Sequence, residues 1–180
     1  MEDFSSIPPA TTEISSEENI RMPTGISSLD PVLEGGIPPG SVALLLGEIG
    51  SGHEDFVNSS IMYLTKMIPE GPPAGGFLYP ETITYISFTK DREDIINDIR
   101  ISYKSSLTTN VESGLNIIDL SQIYFENSVV PAGWYSESDI VERLKARKAI
   151  YATILGELTE TLEQVPANSL VIFNSLTDLA

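Results

Sequence analysis

The chain has no cysteine among its 180 residues, which excludes disulfides, thiolate metal sites and thiol nucleophiles. Histidine is nearly absent too: His53 is the only one, and with no second His or Cys to join it no metal site is expected. Basic residues are scarce, 10 against 26 acidic ones, for a net charge of −16. Such a surface repels phosphate backbones, so nucleic acid is not an expected partner. Long apolar runs are missing as well. None approaches the roughly 18 residues of a membrane span, and no membrane partner is expected. Met1–Ile20 has neither a basic start nor an apolar stretch, so no secretory signal is expected there and the expected compartment is the cytoplasm.

What is present fits one α/β domain with a sizeable core. Residues 1–20 are rich in Ser, Thr, Pro and Glu without apolar periodicity and read as an acidic disordered tail. From Arg21 to Ala180, strand-like runs alternate with helical patterns, which predicts a mainly parallel sheet with crossover helices. Val42-Ala43-Leu44-Leu45-Leu46 is a continuous apolar run, as expected of a strand buried on both faces. Further strands are predicted over Thr82–Phe88, Leu115–Leu120 and Leu170–Phe173, and helices over Glu54–Met67 and Arg92–Ser102. Apolar residues at Ile140, Leu144, Tyr151, Leu155, Leu158 and Leu162 predict one long helix over Asp139–Gln164. A doubly wound sheet should continue where the chain stops at Ala180, which reads as a fragment or a shortened version of the fold.

Between the first predicted strand and helix lies Gly47-Glu48-Ile49-Gly50-Ser51-Gly52-His53-Glu54. A glycine loop at a helix N-terminus can wrap backbone N–H groups around a phosphate; its plain alternative is a strand–helix turn without a ligand. The working pattern GxxxxGK[ST] adds a Lys for the β/γ-phosphates and a hydroxyl for Mg²⁺. Gly47 and Gly52 are in register with that pattern, while His53 stands at the Lys position and Glu54 at the Ser/Thr position. Glu48, Glu54 and Asp55 therefore put three carboxylates around a site suited to a triphosphate. Two like charges about 4 Å apart repel by roughly 4 kcal/mol at an effective dielectric near 20. Glu54 and Asp55 instead suit the positive end of the helix, so the anion site is expected to be filled by the protein's own side chains.

Upstream, Thr24-Gly25-Ile26-Ser27-Ser28-Leu29-Asp30 is followed by Leu33-Glu34-Gly35-Gly36-Ile37-Pro38-Pro39-Gly40-Ser41. This segment closely resembles the run that leads into the first strand and Walker A loop of the RecA/RadA/KaiC family. The resemblance covers residues 21–105 well and continues more loosely to 180. It implies a RecA-like P-loop fold, doubly wound, with helices on both faces of the sheet. It also implies catalytic positions, and the chain departs from each. Thr89 and Lys90 stand where paired glutamates should activate water, and Asn174 stands where an Asp should hold the Mg²⁺ shell.

The resulting expectation is a catalytically inactive or strongly impaired RecA/KaiC-like domain that works as a regulatory or signalling interaction module. A protein partner or a second copy of the chain is the expected partner. No cofactor is expected beyond weak binding of ATP and Mg²⁺. The competing reading is a divergent ATPase that uses Lys90, or a neighbouring subunit's residue, in place of the missing lysine. His53 reads as a pH switch or phosphate ligand when protonated, or as a plain exposed first-turn residue. Asp91-Arg92-Glu93-Asp94 reads as a switch segment or as a solvated helix start. Trp134 and Tyr135 read as a partner contact or as a loop anchored on the core. The basic stretch Arg143–Lys148, beside Glu142, reads as a dock for an acidic partner or as a solvated helix face.

The acidic balance also suits molar salt, where screening acts over about 3 Å. Self-repulsion at −16 destabilises the compact state, so the melting temperature should rise between low and molar KCl. Thermal melts across that range check this; an unchanged midpoint would contradict it.

Overall fold

The computed structural model describes residues 20–48, 50–68, 77–103, 105–126, 129–131, 134 and 154–175. The sequence expectations for the 1–19 tail, Ile49, Tyr135, the basic stretch 143–148 and the first half of the long helix, 139–153, fall outside those residues. Three parallel strands form the sheet: β1 (Thr82–Ser87), β2 (Leu115–Asp119) and β3 (Ser169–Asn174), in the order β2-β1-β3. Five helices accompany them among the described residues: α1 (His53–Met67), α2 (Arg92–Ser102), α3 (Ser105–Gly114), α4 (Ser121–Glu126) and α5 (Ile154–Gln164). No helix among the described residues is long and apolar enough to cross a membrane.

The core follows from the two-residue period of the central strand. Ile83 and Tyr85 lie in register with Leu115 and Ile117 on one side and with Leu170 and Ile172 on the other. Against this face pack Ile61 and Leu64 of α1, Ile95, Ile96 and Ile99 of α2, and Val111 of α3. Ile86 points to the opposite face, where Phe88 and Leu120 are buried with Tyr124 of α4 and Ile154 and Leu158 of α5 packed on them. The sheet thus has helices on both faces.

Local signals explain the helix boundaries. The Asp91 side chain accepts the Asp94 N–H at 2.8 Å and caps α2, which carries Glu93 and Asp94 in its first turn and Arg100 in its last. The 91–94 run is therefore a solvated helix start, stabilised by its cap and by the helix dipole. In α1 the buried Thr65 hydroxyl donates to the Ile61 carbonyl at 2.8 Å, so it adds no unpaired polar group to the core. Along α5 the inward residues are Ile154 and Leu158. Leu155 and Leu162, counted in the sequence stripe, are 62% and 40% exposed.

Val42–Leu46 departs most from the sequence expectation. Residues 41–48 are exposed and lie outside the sheet, with Val42 96% and Leu46 86% accessible. The strand buried on both faces that was expected here is not formed, and β1 already has a parallel partner on each edge. Full burial of each such side chain is worth roughly 1.5–3 kcal/mol, so this run leaves a considerable contribution unrealised.

The lead-in segment is held by one carboxylate. Asp30 Oδ1 accepts from the Thr24 N–H at 2.8 Å and the Thr24 hydroxyl at 2.6 Å, and Oδ2 accepts from the Gly25 N–H at 3.2 Å. Gly25 has φ 78°, and a Cβ there would collide with the Tyr63 ring of α1. Only glycine meets both demands. Met22 and Ile37 exchange two backbone hydrogen bonds at 2.8 and 2.7 Å and close the segment. Removing the carboxylate strands the buried Thr24 hydroxyl and two N–H groups. Asp30→Ala should therefore destabilise the domain by about 3 kcal/mol, read from urea midpoints; a loss under about 0.5 kcal/mol would show that the clamp contributes little.

Candidate functional site

Parallel α/β sheets present their ligand crevice at the carboxyl ends of the strands. Here those ends form a polar row, with Ser87 in register with Asp119 of β2 and with Asn174 of β3. Ser87 is fully buried and its hydroxyl accepts the Lys90 N–H at 3.1 Å, which fixes the turn that leaves β1. The Asp119 carboxylate accepts the Ser121 N–H at 2.8 Å at the start of α4. Asn174 is half-buried at the end of β3 and Thr89 half-buried just beyond β1.

Lys90 joins this row to the glycine loop. Its Nζ donates to Asp98 Oδ2 of α2 at 2.9 Å and lies 3.8 Å from Glu54 Oε1 in the first turn of α1. The hydrogen bond to Asp98 is the main cause that raises the Lys90 pKa above 10.5, against desolvation, with the charges of Glu54, Asp98 and Asp94 adding to it. At neutral pH the site thus holds an ammonium group between two carboxylates. Tyr85 lies on the same face of β1 as Ser87, one pleat earlier. Burial, then Glu54 and Asp98, push its phenol up from 10.0 to about 12.

The loop itself is tightly wound. Gly50 and Gly52 have φ values of 85° and 79°, and Gly52 is the N-cap of α1 with no side-chain cap hydrogen bond. The Ser51 N–H donates to the Glu48 carbonyl at 3.0 Å. Ser51 Oγ lies 3.1 Å from His53 Nδ1, and a Cβ on Gly47 would collide with that hydroxyl. The loop thus carries an exposed Ser51–His53 contact packed against Gly47. Glu54, expected to fill it, turns toward Lys90 instead. His53 is an exposed first-turn residue, and Glu48 is exposed as well. Trp134 is 81% exposed, so the anchored-loop reading does not hold for it.

Sequence reasoning missed Asp98 and Asp119. Asp94 and Asp98 stand four residues apart on one helix face, a spacing that signals shared direction, and Asp119, inside the strand predicted over Leu115–Leu120, closes β2 at the level of Ser87. Comparison with protein-family models, curated proteins and solved structures returns no match.

The alkaline limb of stability tests the geometry. The folded pKa of Tyr85 lies above its unfolded value, so the stability it contributes is complete below pH 10.0 and is lost as pH rises toward about 12. Urea midpoints of the parent should fall faster than those of Tyr85→Phe across that window. Parallel curves would mean that Tyr85 is not buried beside these carboxylates.

Proposed function

We propose that the chain is a doubly wound, RecA/KaiC-like domain that does not hydrolyse ATP and serves a regulatory or signalling assembly as a binding module. The observation that supports this best is the state of Lys90. The ammonium nearest the glycine loop among the described residues is already hydrogen-bonded to Asp98 and faces Glu54. A phosphate group approaching that ammonium would meet both carboxylates beside it.

The residues at the strand ends do not suit a magnesium-bound triphosphate. His53 replaces the phosphate-binding lysine, Glu54 replaces the metal-binding hydroxyl, and neutral Asn174 closes β3 where a carboxylate is expected. Ser51 packs against Gly47 and reaches His53. The backbone path is nonetheless the kind that glycine loops use to approach anions, with Gly50 and Gly52 at positive φ before an uncapped helix start. This favours descent from a phosphate-binding loop whose charge has been reversed. Asp119 does not restore the divergent ATPase reading, because its carboxylate is engaged by the Ser121 N–H.

Steady-state phosphate release from Mg-ATP should be absent in the pure protein; turnover abolished by Gly52→Val or Lys90→Met would overturn the reading. Reversing the loop's charge should restore binding without turnover. His53→Lys with Glu54→Thr changes the local charge by about +2 and frees Lys90 from one partner, which by roughly 4 kcal/mol per close pair should raise affinity at least a hundredfold. Calorimetric titration of the double variant with Mg-ATP measures this, and affinity equal to the parent's would contradict a phosphate-loop origin.

A further inference from the structure

The lead-in segment and the far half of α1 enclose a cavity of about 320 Å³. Its walls include Tyr63, Phe77 and Tyr79, with Pro23, Pro31 and Asp30. That volume is at the low end of the roughly 300–1,000 Å³ of small-molecule sites. Tyr63 stands ten residues beyond His53 in α1, which puts roughly 15 Å of helix between the cavity and the glycine loop. The cavity is thus separate from the loop, and its chemistry does not depend on whether that loop ever met phosphate.

The three aromatic walls are fixed in place. Tyr63 and Tyr79 share a hydroxyl hydrogen bond at 3.1 Å, and their ring centres lie 6.5 Å apart with the planes inclined at 40°. They make a corner, not a stack. Gly25 holds the Tyr63 ring from the other segment, since a Cβ there would collide with it. Phe77 is tied through its neighbour, whose N–H donates to the Arg21 carbonyl at 2.8 Å. A Cβ on Gly35 would stand 3.7 Å from the Phe77 ring. Phe77 itself is 42% exposed, as suits the mouth of a site.

The polar chemistry of the cavity is that of an acceptor. No Lys, Arg or His is among the described residues that line it. Asp30 Oδ1 takes two hydrogen bonds, but Oδ2 takes only one, from Gly25 at 3.2 Å, and keeps lone-pair capacity. Among the described residues no basic side chain pairs with Asp30, and Arg21 is turned to Glu34 at 3.4 Å. The carboxylate also acts on the aromatic corner. Burial first, then Tyr63, then the charge of Asp30 raise the Tyr79 pKa above 10.0.

Aromatic walls around one uncompensated carboxylate suit an organic cation, whose charge the ring quadrupoles attract while its methyl groups pack on them. A small inorganic ion would have to shed its water against apolar walls. The net charge of −16 draws cations toward the same surface. We propose that this cavity binds a small free quaternary ammonium compound of about choline's size, with its trimethylammonium group against Tyr63, Tyr79 and Phe77.

Proton NMR titration of the whole chain with choline, in low salt, tests it. The N-methyl resonance should move upfield under the ring currents and saturate. The neutral tert-butyl isostere of choline, in which carbon replaces the nitrogen, should bind at least about tenfold more weakly. Phe77→Leu should weaken choline about fivefold or more, whereas Val32→Ala, at an exposed position of the same segment outside the cavity, should leave it unchanged. No saturable shift with choline would overturn the proposal. Equal affinity for the isostere would overturn it too, by making the cavity merely apolar. A trimethyllysine peptide that bound about tenfold more tightly than choline would overturn the free ligand and assign the site to a modified partner chain. Should Phe77→Leu fail to fold, the comparison of choline with its isostere on the parent decides alone.

Discussion

Thr82–Ser87 is paired in register on both edges, and every other element takes its position from that ladder. Alternate residues of the strand feed two separate cores, Ile83 and Tyr85 under α1, α2 and α3, and Ile86 under α4 and α5. Because all three strands run parallel, their last residues arrive together, and Ser87, Asp119 and Asn174 form one polar row. The turn after β1 then places Lys90 between Glu54 of α1 and Asp98 of α2.

Those ion pairs matter more for occupancy than for stability. Each is solvent-exposed, and exposed pairs contribute only about 0–1 kcal/mol. Their effect is to neutralise the cation that an incoming phosphate would need, while the net charge of the whole chain opposes any anion from a distance. A surface this acidic and a loop this poor in cations act in the same direction.

Much of the fold was legible because its signals are local. The apolar runs at 82–88, 115–120 and 170–173 became β1, β2 and β3, and Asp91 before a helical pattern became the cap of α2. Val42–Leu46 was misjudged because an apolar run states a need for burial without saying where a partner edge lies. Along α5 the stripe was misread by one position, since Leu155 and Leu158 are equally apolar and only packing distinguishes them. Within the candidate site the loop glycines could be read from spacing, while Lys90 was singled out only by the resemblance. Asp98 could not be read as the Lys90 partner, because eight residues and a helix start separate them in sequence. The packing of Ser51 against Gly47 was likewise invisible, since it depends on how two positive-φ glycines fold the backbone back on itself.

On the proposed reading, the pairing of Lys90 with Asp98 and Glu54 leaves the glycine loop without a cation to hold phosphate. Equilibrium dialysis of the unmodified chain against Mg-ATP, in low salt and again in molar KCl, tests it most directly. No saturable binding is expected below about 1 mM, an affinity weaker than roughly −4 kcal/mol, in low salt, with only a slight gain when salt screens the carboxylates. Saturable binding at micromolar nucleotide in either buffer would contradict the account.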